Sequence, residues 1–156
     1  PILPVTIGVN TGDCLAGNIG AAERFNFNIL GDPVNTAARI KGLNSVYGTR
    51  LLIGETTAAQ IGDALLVRPV DWVRMKGKTR PVLVHELLPD DGNPRTRAAV
   101  DTYREGLEAY REGRFERAAD LFERTPWASP MAARARAFQA DPPPPDWDGS
   151  FTMRTK

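Results

Sequence analysis

"ILGDPVNTAARIKG", residues 29–42, begins as the end of a strand pattern and turns into a helix. Asp32 is a good N-cap. Pro33 is a good first helical residue, because its missing amide hydrogen would have no partner there anyway. Val34, Ala37 and Ala38 then recur at helical spacing and are expected to face the core. Asn35 and Arg39 lie four apart, on a different stripe of the same helix. Arginine presents a planar fork of donors that matches phosphate oxygens, and asparagine offers a donor and an acceptor suited to a sugar oxygen. A nucleotide held against this helix would use both. A solvated asparagine and an arginine in a surface ion pair fit the spacing as well.

Toward the amino terminus, "RFNFNIL" alternates, with Phe25, Phe27 and Ile29 on one face and Asn26 and Asn28 on the other. The glycines of "NTGDCLAGNIG" at 12, 17 and 20 suit tight turns between short strands. Val5, Ile7 and Val9 alternate with Thr6 and Gly8, as in a half-buried strand. Toward the carboxyl terminus, Gly48 closes a turn before the strand "RLLIG", and Thr56 can cap a short helix over "TAAQIG". "LLVRPVDWVRM" is a long strand interrupted near Pro69, "KGKTRP" a turn, and "VLVHELL" its hairpin partner. Lys76 and Lys78 flank Gly77. They could hold a triphosphate as point charges, or simply keep a sheet edge soluble. The element order predicts an α+β layer, with helices packed on a mostly antiparallel sheet.

The whole chain has 156 residues, 42% of them hydrophobic, and a net charge of +1. That balance gives no electrostatic argument for nucleic acid or an anionic membrane surface. One cysteine, Cys14, excludes an internal disulfide framework and is expected to sit as a small buried residue. No apolar run reaches the roughly 20 residues of a membrane span. The sequence opens without methionine, inside a strand pattern, so a piece of a longer protein is expected. "PDDGNP" reads as a linker over 90–96. Residues 97–140 resemble one tetratricopeptide-type helical hairpin, with Leu107, Ala109, Tyr110, Phe115, Ala118, Ala119 and Phe122 around a turn at Gly113. It is expected to serve packing or partner contact. Residues 141–156, with the run "DPPPPDWDG", read as an irregular tail. Trp72 and Phe25 are expected in the core, Asp71 and Glu86 on the surface, and His85 on a strand without a partner.

Taken together, "IGVNTGDCLAGNIG…RFNFNILGDPVNTAARIKGLNSVYGTRLLIGE" and "VRMKGKTRPVLVHEL" resemble the C-terminal half of a class III nucleotidyl cyclase catalytic domain over residues 4–88. The segment "GDPVNTAAR" matches the family pattern G-[DN]-x-V-N-x-A-[AS]-R, and its place between "NTG…GNIG" and "KGK" makes the match specific. The resemblance implies a ferredoxin-like α+β domain, residues 1–89, that takes part in converting ATP to cyclic AMP and pyrophosphate for intracellular signalling.

It also implies roles. Asn35 orients the ribose, Arg39 stabilises the α-phosphoryl group in the transition state, and Lys76 contacts the β- and γ-phosphates, with Lys78 a weaker candidate. Asp32 fixes the helix start, so that the ligand-facing stripe meets the nucleotide in one orientation. Asn28 holds the base-reading position; its amide can pair with adenine or, flipped, with guanine, and adenine is expected from the family's frequency. Two divalent ions, Mg or Mn, are expected, with ligands in an earlier part of the domain. Asp13 and Asp32 are not those ligands. Head-to-tail homodimers with shared sites are implied. The wording also resembles bacterial membrane-anchored cyclases with a CHASE-type sensor, which places this segment in the cytoplasm beneath an inner-membrane anchor. A guanylyl cyclase, an inactive nucleotide- or partner-binding module, and a scaffold centred on the helices are the alternatives.

Overall fold

The computed structural model describes residues 5–19, 26–127 and 129–153. Phe25 lies outside them. Among the described residues seven strands run in chain order: β1 (Ile7–Val9), β2 (Leu15–Ile19), β3 (Asn26–Leu30), β4 (Leu51–Ile53), β5 (Val67–Arg74), β6 (Val82–Leu87) and β7 (Phe151–Thr152). Five α-helices accompany them among the described residues: α1 (Asp32–Tyr47), α2 (Glu55–Ile61), α3 (Pro94–Arg111), α4 (Phe115–Glu123) and α5 (Ser129–Ala140). The main sheet is mixed, in the order β1-β4-β6-β5-β7. Its outer pairs, β1/β4 and β5/β7, are parallel, and its inner pairs, β4/β6 and β5/β6, are antiparallel. β2 and β3 form a separate antiparallel ribbon. This is the α+β architecture the element order predicts.

α1 starts and ends where its sequence says, but with different chemistry. Gly31 is the N-cap residue and no side chain caps the helix, so Asp32 is the first helical residue and not the cap. Gly48 closes the helix in the left-handed region, φ 66°, which glycine adopts without a Cβ penalty. The buried stripe is Thr36, Ile40, Leu43, Asn44 and Tyr47, and not Val34, Ala37 and Ala38. Tertiary packing overrides the local apolar count here, because Asn44 is used as a buried bracket. Its amide donates to the Ile7 and Lys41 carbonyls, at 3.0 Å each, and its oxygen accepts from Thr49 Oγ1 at 2.9 Å. β1 meets α1 closely enough that a Cβ on Gly8 would lie 2.3 Å from the Lys41 nitrogen and 2.5 Å from the Ala37 oxygen. α2 likewise lacks a side-chain cap; Gly54, not Thr56, precedes it.

Several expectations about burial are corrected. Ile7 and Val9 are exposed, because Gly8 is the β1 residue that faces α1 and its two neighbours point to the other face of the sheet. Phe27 and Ile29 are exposed on the isolated β2–β3 ribbon, and Cys14 is exposed beside it. In β5 the register shifts between Pro69 and Asp71, so the period of two breaks and both Val70 and Asp71 turn inward. Asp71 is fully buried, accepts from Tyr47 Oη at 2.6 Å, and pairs with Arg134. Burial pushes its pKa up, while Arg134 and the Tyr47 hydroxyl pull it down. Glu86 is largely buried in an ion pair with Arg68, whose guanidinium lies over Tyr103 at 4.4 Å and Trp127 at 4.8 Å. Trp72 is partly buried against the core.

The helical part is three helices rather than a hairpin. The seven residues expected around Gly113 are all buried. They join one hydrophobic cluster with Ile40, Leu43, Leu52, Val70, Val73 and Val84 of the sheet and α1. Tyr103 Oη donates to the Val70 carbonyl at 3.0 Å, and burial raises its pKa to about 12. β7 adds a parallel strand to β5, with Phe151 beside Val73 and Thr152 beside Arg74.

Candidate active site

Asn35 and Arg39 project from the first half of α1, on a face beside its buried stripe. With Ala38 and Gly42 they complete a face at positions i, i+3, i+4 and i+7. That face lines a cleft of about 540 Å3, whose other walls are Lys76 and Gly77 of the β5–β6 turn and Met153 of the tail. Clefts that hold small ligands start at roughly 300 Å3. Three residues selected from sequence, Asn35, Arg39 and Lys76, therefore meet across one cavity, although Lys76 lies 37 positions beyond Arg39.

The turn and helix are joined by a second contact. Lys78 donates to the Asp32 carboxylate, so this lysine is paired to the first residue of α1. Among the described residues neither Arg39 nor Lys76 makes a salt bridge. Two cations facing one cavity without carboxylate partners suit an anionic ligand, and the planar fork of Arg39 suits phosphate. Asn10 steadies the helix start, donating from Nδ2 to the Pro33 carbonyl at 3.3 Å.

Asn28 is not brought to this cleft. It lies exposed on β3, opposite Gly17 of β2. Asp32 is also outside the lining. A divalent ion does not fit the residues present. The lining holds no carboxylate, and among the described residues no group of three or more His, Cys, Asp or Glu could hold a metal. Met153 was missed from the sequence. A proline run hides the short strand before it, and a lone methionine in a tail carries no signal of its own.

Comparison with known proteins gives the same region of the chain a family. The model of the "Adenylate and Guanylate cyclase catalytic domain" matches residues 2–87. "Adenylate cyclase 1" of Rhizobium meliloti is 33% identical over 88 residues, covering 56% of this chain and 13% of that protein. "Adenylate cyclase, terminal-differentiation specific" of Dictyostelium discoideum is 32% identical over 123 residues, 75% of this chain and 6% of that protein. The adenylyl cyclase CyaB of P. aeruginosa superposes with a TM-score of 0.47 at 31% identity, over 53% of this chain and 41% of that one. The chain thus spans a small part of the curated relatives it matches. With the family model covering more than half of its residues, and Asn35, Arg39 and Lys76 of that span gathered at one cleft, the chain belongs to the adenylate and guanylate cyclase catalytic domain family.

Proposed function

We propose that the cleft between α1 and the β5–β6 turn is the nucleotide side of an adenylyl cyclase site that converts ATP to cyclic AMP and pyrophosphate. The observation that carries this reading is the convergence of Asn35, Arg39 and Lys76 on one cavity without competing carboxylates. In the reaction the ribose 3′-oxygen attacks the α-phosphorus in line, and pyrophosphate leaves. Little covalent help is needed, so positioning and charge neutralisation set the rate. Asn35 holds the ribose and so aims its 3′-oxygen. Arg39 meets the charge that grows on the α-phosphoryl oxygens, and Lys76 holds the β- and γ-phosphates.

In this reading the cleft is half of a site. The acidic residues for two divalent ions come from outside the described residues, across a head-to-tail homodimer. We place the segment in the cytoplasm, in a protein anchored in the inner membrane with a CHASE-type sensor; the motif wording supports this. Asn28 supports adenine only by the chemistry of its amide, so the base is tested directly: kcat/KM for ATP above that for GTP is expected in the full-length enzyme.

The shared site is tested by complementation. An Arg39→Ala chain and a chain lacking the metal-binding acids should each be inactive. Mixed, they should regain at most about half of wild-type activity per dimer, because one of two equivalent sites is whole. A mixture that stays inactive while mixed dimers are shown to form would reject the assignment.

A further inference from the structure

Residues 141–153 fold back across the molecule and reach the cleft at Met153. Trp147 seats the tail in an aromatic cluster, 5.2 Å from Tyr110, 5.4 Å from Phe138 and 5.7 Å from Phe115, centroid to centroid. Gly149, at φ 79°, lies so close to α3 that a Cβ there would be 3.1 Å from Arg111 Cγ and 3.4 Å from Arg111 Cα. Phe151 packs edge-on to Tyr47 at 6.3 Å. The Met153 amide donates to the Arg74 carbonyl at 3.0 Å, and the Met153 side chain reaches the cleft, where its Cε would be 3.5 Å from a Cβ on Gly42.

Arg74 joins this tail to the lysine turn. One arm of its guanidinium donates to the Thr79 carbonyl, and the other to the Asp148 carboxylate. Asp148 is itself held by Ser150, accepting from its amide at 3.1 Å and its hydroxyl at 2.5 Å. Those bonds, the hydroxyl above all, and Arg74 keep its carboxyl below the usual range, so it stays charged at neutral pH. A planar fork bound at both ends has little freedom. Thr79 is three residues from Lys76, and the turn between them carries Gly77 at φ 77°.

We propose that the tail strand is part of the nucleotide site: Asp148, acting through Arg74, is a positioning residue for Lys76, and Met153 is a wall of the cleft. This rests on the nucleotide reading of the cleft. It assigns the tail to the triphosphate end of the substrate, where Lys76 acts, and not to the α-phosphoryl charge met by Arg39. Tail variants therefore change substrate affinity more than turnover.

The test uses the full-length enzyme, with ATP as substrate and inorganic triphosphate as competitive probe. Asp148→Asn is expected to raise both the KM for ATP and the Ki of triphosphate about 3- to 10-fold, with kcat within about twofold. Asp148→Glu should recover part of the loss. Met153→Ala should raise the KM for ATP. In a Lys76→Ala background, Asp148→Asn should add little, because its effect runs through the lysine. An unchanged KM in Asp148→Asn and Met153→Ala, or a full Asp148→Asn effect without Lys76, overturns the proposal while the nucleotide reading stands. If Lys76→Ala and Arg39→Ala both leave ATP kinetics unchanged, the nucleotide reading falls and takes this inference with it. Melting curves matching wild type establish that the variants are folded.

Discussion

At the scale of single residues, α1 separates two jobs by face. Thr36, Ile40, Leu43, Asn44 and Tyr47 hold the helix down, and Asn35 and Arg39 are left free to bind. Arg39→Ala should therefore leave the fold intact. In the full-length enzyme it should lower kcat by about 10²–10³-fold, or ~3–4 kcal/mol, by analogy with loss of an oxyanion donor. Steady-state kinetics with ATP checks this, and a loss confined to KM would assign Arg39 to ground-state binding instead. The pair was legible in the sequence because its four-residue spacing and flanking motif are local. Asp71 was not. Its burial depends on the irregularity in β5 and on Arg134, 63 positions away, and alternation alone places it outside.

At the scale of elements, the helix–strand contact at Gly8 sets where the site sits. The Cβ of an alanine there would fall within 2.8 Å of three α1 backbone atoms, and backbone cannot move aside as a flexible side chain can. Gly8→Ala should destabilise by about 1–3 kcal/mol and shift α1 away from β1. Denaturant unfolding measures the first effect. Amide exchange at Lys41 and Asn44 reports the second, and unchanged exchange would mean that β1 yields instead. Strand and helix existence was largely readable, since β4 to β6 are apolar runs bounded by turn residues. The third helix and β7 were not. A tetratricopeptide-like pattern implies two helices, and a strand of two residues has no period to detect.

At the scale of the whole molecule, one core serves both halves of the chain, and Tyr47, Asp71 and Arg134 tie α1, β5 and α5 together inside it. Arg134→Ala leaves the fully buried Asp71 carboxylate without its cation and should cost about 3–5 kcal/mol in a single cooperative transition. Two separate transitions in the wild-type chain would show that the halves fold independently. His85 gives a pH signature. It lines a pocket between β5, β6 and α3, and burial, with Arg104 adding to it, lowers its pKa. The unfolded chain thus takes up this proton first, near pH ~6.5. The stability from this group is full above that pH and declines as pH falls toward the lower folded pKa. His85→Gln should flatten the fall in melting temperature between about pH 7 and 5; an unchanged slope would place the titration elsewhere.

The tight seat of α1 on Gly8 also has a mechanical side. Contact at Ala37 and Lys41 centres the Gly8 seat on Arg39, and a tilt of the helix about that seat turns it as a beam turns on a pivot. At 1.5 Å per residue, Tyr47 lies about 12 Å to one side of Arg39 and Asn35 about 6 Å to the other. A 1 Å push on the Tyr47 end then swings Asn35 by about 0.5 Å in the opposite direction and leaves Arg39 nearly still. Strain arriving from α5 through Arg134, Asp71 and Tyr47 would therefore reach Asn35 as a reversed, halved stroke, with Arg39 as its fixed point.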